Sequence, residues 1–136
     1  MMDYIINTHK GCKVFDKNNK EYPVTQLTYV KKLCEKQLFT YEGYLKAVSN
    51  ILNMKYKIPL YINSKIILFS TSGYRNYENI WINYQTIKTV DFYEKTILFT
   101  FFSQQILRIQ MTKCQYQRQI EKINKIIAYK LSDKID

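Results

Sequence analysis

The side chains best placed for chemistry lie in FSTSGYRNYENIWINY (69–84), where Arg75 stands between Tyr74 and Tyr77, shortly before the only tryptophan, Trp81. A guanidinium, amides and phenols in one polar run suit binding rather than bond-making. The alternative reading is a plain loop between two strands. Catalytic constellations do not form. His9 is the only histidine and lies in a polar N-terminal segment, so it reads as an exposed loop residue, and no two-histidine metal pattern exists. Asp91 and Glu94 flank an expected turn and read as solvating it rather than as a carboxylate pair. Three glycines cannot supply a GxxxxGK[ST] or GxGxxG phosphate loop. Cys34 lies between Lys32 and Lys36, which would favour a thiolate, but a small core residue is the preferred reading. The expectation is a non-enzymatic chain with no cofactor and no metal.

The chain carries 21 Lys and Arg against 11 Asp and Glu, a formal charge of +10. That balance favours a polyanion, either nucleic acid or an anionic membrane surface. A lysine-rich surface without a specific partner is the bland alternative. With 136 residues, 46% of them hydrophobic, one domain spanning 1–136 with a real core is expected. Cys12, Cys34 and Cys114 are odd in number and far apart, which fits reduced thiols. The N-terminus lacks the apolar core of a secretory signal, and "TILFTFF" is too short to span a bilayer. A cytoplasmic location is expected.

Positioning these residues falls to a series of short strands and two helices. DYIIN, GCKVF and EYPVTQLTYV read as strands, with a turn at Asp16–Lys20 and Pro23 at an edge or early position. TYEGYLKAVSNILN reads as a helix, since Leu45, Val48 and Leu52 share one face, with Gly43 near its start and Asn53 near its end. PLYIN and KIILFS form a hairpin about Asn63–Ser64. Ile80, Ile82 and Tyr84 alternate before a kink, and Ile87 and Val90 follow. Turns are expected at Tyr93–Lys95 and Ser103–Gln104. TKCQYQRQIEKINKIIAYKL is a C-terminal amphipathic helix with Thr112 as N-cap and Tyr116, Ile120, Ile123, Ile127 and Leu131 in its apolar stripe. The fold class is therefore α+β: mainly antiparallel sheet, a short central helix and a terminal helix. A pleckstrin-homology-like arrangement is one way to assemble these parts.

The order of motifs from Tyr29 to about Arg118 resembles the ComK family of competence transcription factors from low-GC Gram-positive bacteria. The resemblance runs through Cys34 and TYEGY, which matches a Ser/Thr-Tyr-x-Gly-Arg-like helix opening. It continues through KIPLYINSKIILFSTSGYRNYENIWIN, IKTVDFYEKTILFTF and the Q-x-x-R at Gln115–Arg118. Tyr44 stands where an arginine is expected, and Ser70 where a proline is common. Fuller members continue into a C-terminal tail used for adaptor-mediated proteolysis, so the adaptor is a partner that the short tail here argues against.

The resemblance implies an oligomeric transcriptional activator that binds AT-rich promoter boxes, mostly through the minor groove. That groove is narrow and strongly negative in AT-rich duplex and attracts inserted Arg and Lys. Arg75 is the leading candidate contact, with Tyr74 and Asn76 bonding phosphates or base acceptors; an exposed hairpin arginine is the alternative. Tyr41 and Tyr44 flank Gly43, where backbone N–H groups could approach phosphate, or where the helix simply begins. Lys46 would neutralise the DNA backbone if that helix faced it. Arg118, Lys122 and Lys125 form a basic helix side that either contacts DNA or is only solvated. Trp81 reads as a structural anchor rather than a base-stacking residue. The rival function is a pleckstrin-homology-like interaction module for a protein partner or anionic lipid.

Overall fold

A computed structural model describes residues 1–132. The short tail, on which the adaptor expectation rests, lies partly outside them. The described residues form an α+β fold with two antiparallel sheets and three α-helices. The first sheet is built from β1 (Tyr4–Thr8), β2 (Gly11–Phe15), β3 (Lys20–Tyr22), β4 (Leu60–Asn63), β5 (Ile66–Ser70) and β6 (Trp81–Asn83), in the order β3-β2-β1-β6-β5-β4. The second holds β7 (Ile87–Phe92), β8 (Thr96–Phe101) and β9 (Ile106–Gln110) in sequence order. Helices α1 (Gln26–Lys36) and α2 (Tyr41–Leu52) connect β3 to β4, and α3 (Lys113–Ser132) follows β9.

Period-two alternation sorts the side chains of the larger sheet between two cores. Ile5, Leu60, Ile62, Leu68 and Trp81 point to one face and pack with Val30 and Cys34 of α1 and Tyr41 of α2. Tyr4, Ile67, Phe69 and Ile82 point to the other, against Ile97, Phe99, Phe101 and Ile109 of the second sheet and Tyr116 and Ile123 of α3. A third cluster, Val48, Met54, Ile58 and Ile126, joins α2 to α3. The larger sheet thus lies between a helical layer and a layer made of the small sheet with α3. Packing of the C-terminal helix against sheet is the feature shared with the pleckstrin-homology-like expectation; α1 and α2 add a further layer.

The segment EYPVTQLTYV corrects one expectation. Its Val, Thr and Tyr content favours a strand, yet only β3 is extended, and α1 begins at Gln26. Thr25 caps it, accepting the Thr28 N–H at 3.2 Å, and Gln26, Val30 and Cys34 recur every four residues on the buried side. There are consequently two helices between β3 and β4, not one. Leu131 is a second correction: it is 83% exposed, beyond the part of α3 that meets the core. Elsewhere the expected elements form. Thr112 and Gln115 make a reciprocal capping box at α3, with bonds of 3.2 and 3.0 Å. The kink after β6 is a 3₁₀ turn, Tyr84–Thr86. Asn83 makes it: fully buried, its Oδ1 accepts from Gln85 and Ile67 N–H, and its amide donates to the Met2 and Lys65 carbonyls.

Candidate nucleic-acid interface

The loop between β5 and β6 (71–80) is a bonded scaffold with a free tip. At its base Thr71 and Ile80 exchange bonds, and the buried Asn79 accepts the Ser72 N–H at 3.0 Å. Asn76 folds the tip, accepting the Glu78 N–H on Oδ1 at 3.0 Å. Two outside amides hold the loop down: Asn7 of β1 donates to the Tyr77 carbonyl at 3.0 Å, and Gln26 of α1 donates to the Asn79 carbonyl at 2.6 Å. What projects is Tyr74, Arg75 and Tyr77, all exposed. The Arg75 guanidinium lies 5.5 Å from the Tyr74 ring centre, an arrangement that steadies it without using its N–H donors on an anion.

This loop meets the start of α2. The ring of Tyr41 is buried and edge-on to Tyr74, with centres 6.0 Å apart. Lys31 of α1 sits 5.9 Å from the Tyr41 ring and pairs with Glu42 at 2.9 Å. Burial pushes the Tyr41 phenol well above its ordinary value, with the Tyr74 phenol adding to the shift, so it stays neutral and can donate. Tyr74, Arg75 and Tyr41 are therefore brought together, with Asn76 holding the loop's shape.

The remaining candidates divide. Tyr44, half-buried, spends its hydroxyl on the chain: it donates to the Pro59 carbonyl at 2.7 Å and accepts the Tyr61 N–H at 2.9 Å. The Gly43 N–H is likewise taken, by the Thr40 hydroxyl at 3.0 Å. Lys46 is exposed on α2, one turn on from Glu42. Arg118 and Lys122 lie on α3, where the Lys122 ammonium donates to the Tyr56 carbonyl. Its pKa is drawn down by partial burial first, then by the nearby charges of Lys57 and Arg118.

That last observation exposes residues the sequence reading passed over. The α2–β4 connection, NMKYKIP at 53–59, carries Lys55, Tyr56 and Lys57, basic residues interleaved with an aromatic. The alternation of basic and aromatic residues is visible in the sequence; the approach of this segment to Tyr74 is not. Lys55 and Lys57 line, together with Tyr41, Tyr74, Ile58 and Trp81, a cavity of about 440 Å³. Lys57 adopts a left-handed backbone (φ 45°), uncommon for a non-glycine residue. Basic side chains therefore gather from Arg118 and Lys122 on α3 to Lys57 and Lys55 on this cavity, whose lining residue Tyr74 carries Arg75 against its ring. Among the described residues, no group of three His, Cys, Asp or Glu side chains could hold a metal ion, and no helix is long and apolar enough to cross a membrane. Cys34 is fully buried, and desolvation raises its thiol to about 11.

The chain is antiparallel α+β, with lysines and tyrosines gathered about one cavity and a charge balance that suits a polyanion. Comparison then makes the assignment particular: the family model described as "ComK protein" matches residues 2–136, and the chain belongs to the ComK family. This is a family of competence transcription factors, not of enzymes, and it carries DNA binding and transcription regulation in general. No curated protein and no solved structure gives a significant match.

Proposed function

We propose that this chain acts as one DNA-binding domain over residues 1–136, a cytoplasmic transcriptional activator that recognises AT-rich promoter boxes largely through the minor groove as a homo-oligomer. The observation that carries the reading is that Tyr74, with Arg75 against its ring, lines one cavity together with Lys55 and Lys57, the latter near Lys122 and Arg118 of α3. Arg75 enters the minor groove. The lysines and Arg118 neutralise phosphates on either side, while Tyr74 and Asn76 shape and hydrate the contact. Tyr41 supports Tyr74 from below, Tyr44 holds the α2–β4 connection in place, and Lys46 supplies peripheral charge.

Minor-groove readout suits this fold. The groove code distinguishes A·T from G·C without a helix in the major groove, and a rigid loop with one projecting arginine matches a narrow groove. The test is fluorescence anisotropy with AT-box and GC-rich duplexes over a salt series. Tighter AT-box binding is expected, with log affinity falling by about 0.9 per neutralised phosphate for each decade of salt. Absence of binding to either duplex at low salt would sink the reading. Preferential binding to anionic vesicles would instead favour the interaction-module alternative.

A further inference from the structure

The cavity beside the loop is more than a junction between elements. Its volume, about 440 Å³, lies in the range of small-molecule sites. Its walls are aromatic and aliphatic: Tyr41, Trp81 and Ile58 are buried, and Tyr74, 40% exposed, forms the outer side. Lys55 and Lys57 stand at its edge, both exposed. The only ion pair among the described residues is Lys31–Glu42, so within them no carboxylate pairs with either of these ammonium groups.

An apolar, aromatic-lined cavity with two cations at its edge suits an aromatic ring that carries a negative charge. Stacking on aromatic side chains tolerates any base, and lysines suit its phosphate as point charges. The strained backbone of Lys57 is the kind of outlier that clusters at ligand sites. We infer that this cavity seats an unpaired nucleotide, its base against Tyr74 and the Tyr41–Trp81 wall and its phosphate on Lys55 and Lys57. The inference shares Tyr74, Lys55 and Lys57 with the duplex-binding reading and rests on it for the choice of nucleic acid as ligand. Its ligand has two sources, a free mononucleotide or a base unstacked from a strand.

Trp81 is the only tryptophan, so its emission reports occupancy. The full chain is titrated with dAMP, adenosine, inorganic phosphate and a single-stranded twelve-residue oligo-dA, exciting at the red edge of indole absorption. Saturable quenching by dAMP is expected, with adenosine at least tenfold weaker and phosphate silent. Tyr74→Ala and Lys57→Ala each weaken dAMP at least fivefold, and Tyr74→Phe retains it. Both substituted side chains are exposed at Tyr74 and Lys57, and circular dichroism checks that the fold persists. An oligonucleotide at least tenfold tighter than dAMP assigns the site to a strand; equal affinities assign it to free nucleotide. No quenching by dAMP or the oligonucleotide, or equal quenching by adenosine, overturns the inference. Anisotropy with the AT-box duplex on the same sample separates the two claims. Duplex binding without a nucleotide response removes only this inference. A nucleotide response without duplex binding removes only the duplex reading.

Discussion

The β5–β6 loop and the α2–β4 connection border the same cavity, yet they are held by opposite means. The first is clamped by polar groups, namely Asn79, Asn76, Asn7 and Gln26, and has little apolar burial of its own. The second is anchored by apolar side chains, Met54 and Ile58, and by the Tyr44 hydroxyl reaching two main-chain groups. Each anchoring scheme leaves its charged and aromatic tips unspent. A binding surface can therefore be presented on anchors that do not depend on its charged tips, and stability should separate from binding when Arg75 or Lys57 is changed.

The largest effects should come from the anchors. Met54 is 5% exposed in the α2–α3 cluster, so Met54→Ala should lose about 2–5 kcal/mol by chemical denaturation. Asn79→Ala should cost less, about 1–3 kcal/mol, mainly by leaving the Ser72 N–H without its partner. Hydrogen exchange sharpens the contrast. Asn79→Ala should speed exchange at Ser72 and Ile80 and spare Leu60, whereas Met54→Ala should loosen the α2–β4 side. Equal acceleration in both regions would show that the two anchors act as one unit.

Tip residues should behave in the other way. Arg75→Ala should change stability by less than about 0.5 kcal/mol, yet cost about 1–3 kcal/mol of AT-box affinity. Equal affinity for mutant and parent would remove the loop from the contact surface. Lys57→Ala should do less. It lowers the salt slope by about 0.9 and weakens AT-box and GC-rich duplexes alike. A loss of AT preference in that variant would mean that Lys57 reads the groove rather than the backbone.

The floor beneath both regions gives the mildest test. Burial raises the Cys34 thiol from 9.0 to about 11. Between those values the folded chain keeps a proton that the unfolded chain releases, so stability is full below pH 9 and declines as pH rises towards 11. At pH 8, iodoacetamide should label the exposed Cys114 alone, with Cys12 and Cys34 reacting only after unfolding. Rapid labelling of Cys34 in the native chain would contradict a dry floor.

Much of this arrangement was legible in the sequence because it is local. Strands β1 and β2, helix α2 with its Asn53 end, and the Thr112 cap of α3 all announce themselves through period, caps and turn residues. Helix α1 did not, because Val24, Thr25, Thr28 and Tyr29 carry strand propensity, and tertiary burial of Val30 and Cys34 overrides it. The site was half visible. Arg75 stands out as a lone arginine in a polar run, and Tyr41 as a neighbour of Gly43. Lys55 and Lys57 become meaningful only once the fold folds their segment back beside Tyr74, and no local pattern encodes that approach. Tyr44 misleads in the same way, since its hydroxyl is committed to partners 15 and 17 residues away.

The central claim is that one face, bounded by Tyr74–Tyr77, Lys55–Ile58 and the Arg118–Lys122 turn of α3, meets the duplex. Titrating an AT-box duplex into isotope-labelled protein and following amide chemical shifts tests it directly. The account predicts that amides of these three segments move first and most, and those on the outer side of β7–β9 hardly at all. Shifts centred on the β7–β9 sheet, with Tyr74–Tyr77 and Lys55–Ile58 unmoved, would contradict it.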